Sequence, residues 1–187
     1  MNFHKLVFIG LLFQFFDFKF GSFDIMPDFI EYVIVAYAFS KLDYRYAKEG
    51  FISALLLMIF SFFNIFNPSL LDINTGSNLF TITSIVFGML QIFYFACIFA
   101  VSNQIVQDSS RKFPTVFLAG IIIVNLIASL SIHLSVNLAS TLVLLSMVAF
   151  FICYMYLFIF LWKRIGLQDK KQAEKSTDLL DADIELE

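Results

Sequence analysis

Long apolar blocks alternate along this chain with short polar connectors. The blocks cover residues 3–20, 27–42, 51–66, 79–103, 114–134 and 138–162, and the longest connector is NPSLLDINTGSN at residues 67–78. A helix needs about 20 apolar residues to cross the hydrocarbon of a bilayer. Between Lys112 and Lys163 there is no Lys, Arg, Asp or Glu at all, which leaves room for two crossings and a tight turn at Ser135-Val136-Asn137. The pattern therefore predicts an all-α integral membrane bundle of six transmembrane helices over residues 1–162, followed by a charged tail over 163–187. Gly21-Ser22 is a turn signal, Pro27 with Asp28 suits the first turn of the second helix, and Asn67-Pro68 ends the third. Residues 3–42 fit either two full spans or a re-entrant hairpin.

Composition agrees with lipid as the solvent. The chain is 60% hydrophobic and 14% charged, whereas charged residues make up about a quarter of an ordinary soluble domain. The first residues resemble a secretory signal, with Lys5 before an apolar core, but Phe20 and Ser22 do not supply a small-x-small cleavage pattern, so the segment is read as retained. Cys97 and Cys153 fall inside apolar runs and form no spaced framework. The 26 phenylalanines suit lipid-facing positions and point to no function.

Charge sets the orientation. With six crossings, all of the 12 basic residues except Lys19 fall on one side, in the segments around Lys5, Lys41 to Lys48, Arg111-Lys112 and the tail. Short loops rich in Lys and Arg stay in the cytoplasm. The expected location is the cell membrane, multi-pass, with both termini cytoplasmic and Trp162 as an anchor at the inner boundary. The tail changes from basic to acidic along its length and reads as a solvated helix running into disorder, or as a docking peptide with Leu179, Leu180, Ile184 and Leu186 on one face.

Each block carries a seam of small and polar residues at helical spacing, the pattern by which helices associate in lipid. With the predicted orientation, Gln14, Asp17, Asp28, Glu31, Asn64, Ser84 and His133 lie toward the outer half, and Gln91 and Asn125 near the midplane. These nine are the candidate ligand-binding residues of a polar depression open to the exterior. Carboxylates on a rim with amides and hydroxyls below suit a metal ion, an amine or a cationic peptide; no particular metal or cofactor follows. A plainer reading has Asp24, Asp28 and Glu31 facing outer water at a helix N-terminus, where the macrodipole favours acids. Glu31 strains that reading, since it sits about a turn deeper than Asp28.

No metalloprotease, nucleophile-elbow or P-loop motif occurs, and no nucleophile is matched to a base, so the chain reads as non-enzymatic. In length and span count it resembles the peptide-processing membrane cysteine proteases of Gram-positive quorum systems. Those need a Cys beside a His, and here Cys97 and Cys153 are expected at the opposite end from His133. Nucleic-acid binding has no basic patch beyond the loop charges.

The segment FDIMPDFIEY, residues 23–32, resembles the FDI-x-PDFIGY hairpin near the start of a loose group of uncharacterised small multispanning membrane proteins of low-GC Gram-positive bacteria. Glu31 stands where that pattern has glycine, and the resemblance implies no activity. The length, span count and outward depression are similar in architecture to the substrate-binding components of energy-coupling-factor vitamin transporters, although LVFIGLLFQFF lacks the Ala-x-x-x-Ala packing motif expected there. Two functions remain in view: a transport-related subunit that binds a small or cationic solute, and an accessory, assembly or immunity protein that acts by lateral contact with another membrane protein or transporter subunit.

Overall fold

A computed structural model describes residues 2–15, 19–20, 23–24, 29–66, 78–107, 112–131 and 136–184. These are almost wholly helical: α1 Phe3–Phe15, α2 Phe29–Ser40, α3 Ala47–Phe66, α4 Asn78–Val106, α5 Lys112–Ser131 and α6 Val136–Ile184. Each helix lies on one apolar block of the sequence. Between α1 and α2 two short antiparallel strands, β1 Lys19–Phe20 and β2 Phe23–Asp24, pair Lys19 with Asp24 and Phe20 with Phe23. They bracket the Gly21-Ser22 turn signal.

Local chemistry sets several helix ends. The Asn2 side chain accepts hydrogen bonds from the backbone N–H of His4 at 3.0 Å and of Lys5 at 3.4 Å, capping α1. Gln107, with φ at +56°, takes the left-handed conformation that closes α4, its N–H bonding back to Gln104. Pro114 stands in the first turn of α5, where its missing N–H has no intrahelical partner to lose. The last helix shows no such stop. Its 49 residues continue through Trp162 to Ile184, so the change from apolar to charged falls within one helix.

Lengths separate the helices into two kinds. Ile85–Val106 within α4 and Leu144–Lys170 within α6 are long and apolar enough to cross a membrane. The first two are shorter: the 13 residues of α1 and the 12 of α2 rise about 20 and 18 Å at 1.5 Å each, against about 30 Å of hydrocarbon. They pack against each other as an antiparallel hairpin. Phe3 meets Phe39 and Gly10 lies against Glu31, so the start of α1 and the end of α2 stand at one end of the molecule.

Around this hairpin α2 packs on α3, α3 on α4, α4 on α5 and α6, and α6 returns to α1. The core is aromatic and centres on α4. Tyr94 meets Tyr32 of α2 edge-on at 5.7 Å between ring centroids, Phe95 meets Phe117 and Tyr154, and Phe99 meets Phe117 and Phe160. Edge-to-face pairs of this kind contribute about 0.5–1.5 kcal/mol beyond their burial. Large apolar side chains on the far face of α6, among them Leu144, Met147 and Ile152, are exposed.

Small residues allow the close approaches. A Cβ on Gly10 would meet Val35 at 2.8 Å and the Glu31 carbonyl at 3.2 Å, and one on Gly120 would meet the sulfur of Cys153 at 2.8 Å. Ser61 and Ser146 are buried. Gly10→Leu should therefore wedge α1 from α2 and cost about 1–3 kcal/mol, read as a lower melting temperature in detergent. Gly166→Ala, where a Cβ meets nothing within 4 Å, should show no loss.

Candidate functional site

Of the nine predicted ligand-binding residues, two have described side chains, Glu31 and Gln91. Asp17, Asp28 and His133 lie outside the described residues, as do the side chains of Gln14 on α1, Asn64 on α3, Ser84 on α4 and Asn125 on α5.

Glu31 lies in the first turn of α2, the end at which a helix dipole favours an acid. Its exposure is 0%. The reading in which this acid faces outer water is thereby corrected: α2 turns it inward, its carbonyl lies against Gly10 of α1, and the Tyr94 hydroxyl of α4 donates to its Oε1 at 3.1 Å. Tyr32, the next residue, is buried and packs its ring on that of Tyr94. A carboxylate and two phenols thus share one site among three helices. Gln91, half-buried, stands three residues before Tyr94 on α4.

Transferring a carboxylate to an apolar interior costs several kcal/mol unless donors or a positive charge stand beside it. The Tyr94 hydroxyl supplies one donor to Oε1. Phenol and carboxylate oxygens are both hard ligands. Tyrosine gave no signal in the sequence, because an amphipathic aromatic is as ordinary in a lipid-facing position as in a site.

A second polar cluster lies some two turns farther along α4, at the end of the molecule where α1 begins, and sequence reasoning did not single it out. His4 is fully buried. Its Nδ1 lies 2.7 Å from Oε1 of Gln168 on α6 and its Nε2 lies 2.8 Å from Oγ of Ser102 on α4. A carbonyl oxygen only accepts, so Nδ1 carries the proton and Nε2 accepts from the Ser102 hydroxyl. Beside it the Asn2 amide donates to Asp169 at 3.0 Å, and Lys5 forms an ion pair with Asp169 at 3.0 Å. Arg164, 4% exposed, donates to the Asn103 side chain at 3.0 Å and lies over the Phe160 ring. The contacts hold α1, α4 and α6 together. The residues that begin the charged tail are thus packed against the helical body.

Both imidazole nitrogens have a partner, and one of these is the Ser102 hydroxyl, itself buried between the helices. The signal that would have found it is coincidence of depth, since Asn2 and His4, Ser102 and Asn103, and Arg164 and Gln168 all fall at one end of the predicted bundle. Among the described residues no group of three or more His, Cys, Asp or Glu side chains is placed to hold a metal ion. Comparison with known protein families, with curated proteins and with solved structures finds no match to this chain.

His4→Ala strips Ser102 and Gln168 of a buried partner and should cost about 1–3 kcal/mol. Lys5→Ala removes a half-exposed ion pair and should cost less, since such pairs are screened by solvent. Unfolding of the two variants in detergent tests the order; equal losses would show that the buried imidazole is not what holds this end.

Proposed function

We propose that this chain is an integral membrane protein with several spans and cytoplasmic termini, acting without catalysis as a transport-related subunit that binds a small cation, or a proton in its place, at Glu31 and Tyr94. The observation that carries the reading is the complete burial of Glu31 with the Tyr94 hydroxyl on it. Ionisable residues inside an apolar bundle are costly, and they mark ion pathways and binding sites.

The membrane part of the reading draws on the two long apolar helices and on the broad exposed apolar face of α6. Its orientation draws on the polar cluster. Those contacts bring the start of α1, the end of α4 and residues 164–169 to one end of the bundle, the end that carries the basic segments. Lys41 over Tyr37 and Arg45 over Tyr46, at 5.1 and 5.0 Å from the ring centroids, give that end the mix of aromatic and basic groups found where a bilayer meets the cytoplasm. Green fluorescent protein fused to either terminus should fluoresce, and alkaline phosphatase fused to either should be inactive. Activity of the phosphatase at one terminus would break the even parity.

Glu31→Gln tests the site, because the amide keeps the shape and loses the charge. Melting of the purified protein is followed as sodium, magnesium or choline chloride replaces N-methylglucamine chloride at constant ionic strength. The wild type should be stabilised by at least one of these cations and the variant by none. Equal responses in the two proteins would overturn the cation reading in favour of an accessory role by lateral contact with another membrane protein.

A further inference from the structure

Just beyond the apolar part of α6, Lys163, Gly166, Leu167 and Lys170 line an open groove of about 360 Å³. The spacing i, i+3, i+4, i+7 puts all four on one helical face over two turns. Gly166 forms a low point, with nothing within 4 Å of where a Cβ would stand, and the two lysines stand at the ends. Both lysines are exposed and neither has a hydrogen-bond or ion-pair partner among the described residues. Asp169, next to Lys170 in sequence, projects from another side of the helix and is taken by Lys5 and Asn2. Arg164 is likewise turned inward, onto Asn103. The groove therefore carries two positive charges that no described acid pairs.

The same face continues toward the membrane as an apolar stripe. Ile152, Tyr156 and Ile159 lead to Lys163 at steps of four, three and four residues, and all three are exposed. Trp162, 68% exposed, stands at the junction between stripe and groove, where an indole ring suits the headgroup level. A cationic groove running straight into an exposed apolar stripe matches a molecule with an anionic head and a hydrocarbon tail.

We propose that this face of α6 binds an anionic phospholipid of the cytoplasmic leaflet. Its phosphate sits over Gly166 between Lys163 and Lys170, and an acyl chain lies along Ile159, Tyr156 and Ile152. The inference rests on the membrane reading given above and is independent of the Glu31 site.

The test uses the full chain purified in mild detergent with equimolar phosphatidylglycerol and phosphatidylcholine, and native mass spectrometry counts the lipids retained. The wild type should retain phosphatidylglycerol preferentially. A lysine beside an anionic headgroup contributes about 1 kcal/mol, so K163A/K170A should lower that preference roughly thirtyfold, while K41A/K48A, at the same end of the molecule, should keep it. Preference unchanged in K163A/K170A overturns the site. Displacement of the lipid by an equal concentration of glycerol phosphate overturns it too, since the groove would then be one for a free phosphate. Extraction of the protein from membranes by alkaline carbonate would overturn the membrane reading and this inference with it; a protein that stays in the bilayer and shows no preference overturns this inference alone.

Discussion

The hydrogen bonds that His4 makes to Ser102 and Gln168 fix what burial alone leaves open. Where the exposed face of a helix is as apolar as its buried face, as along α6, burial does not by itself choose which way the helix turns, and shape and polar contacts decide. The imidazole reaches α4 with one nitrogen and α6 with the other, so sliding either helix by a turn, about 5.4 Å, breaks one of these bonds. The aromatic core around α4 then has a defined register in which to interlock. Asn2 adds to this from the same end, capping α1 and holding Asp169 with different atoms of one side chain.

The Glu31 site is arranged by the same means. Gly10 lets α1 and α2 approach until the carbonyl of Glu31 lies beside it, which turns the acid of that turn away from the surface and toward Tyr94. A glycine on one helix thus decides the exposure of a carboxylate on another. The polar positions divide into two levels along α4, with Ser102 at the basic end and Tyr94 some 12 Å away at 1.5 Å per residue. Between them the packing is aromatic.

Helix existence was legible because each apolar block is long; helix ends were less so, because hydropathy reports surroundings and the backbone follows its own rules. Thus α3 starts at Ala47 and runs through Lys48, Glu49 and Gly50 before the apolar block begins, and α6 passes Trp162 without interruption. The first block shows the converse, an apolar stretch whose last residues, Lys19–Phe20, lie in a strand. Glu31 stood out in the sequence for its depth. Its partner did not, since nothing in a lone tyrosine on α4 distinguishes a hydroxyl that faces an acid from one that faces lipid. His4 was hidden for a related reason: a polar residue near the end of an apolar block is ordinary, and its meaning came only from residues far along the chain.

That distance has a consequence for how the molecule is made. His4 and Gln168 are 164 residues apart in sequence, and at about 5–20 residues per second the ribosome delivers the second on the order of 10–30 s after the first. Through that interval the beginning of the chain has its imidazole and its Asn2 amide ready, with their partners on the last helix still unsynthesised. The first hairpin therefore waits, open at one end, and the closing of the structure is a late event triggered by the arrival of α6.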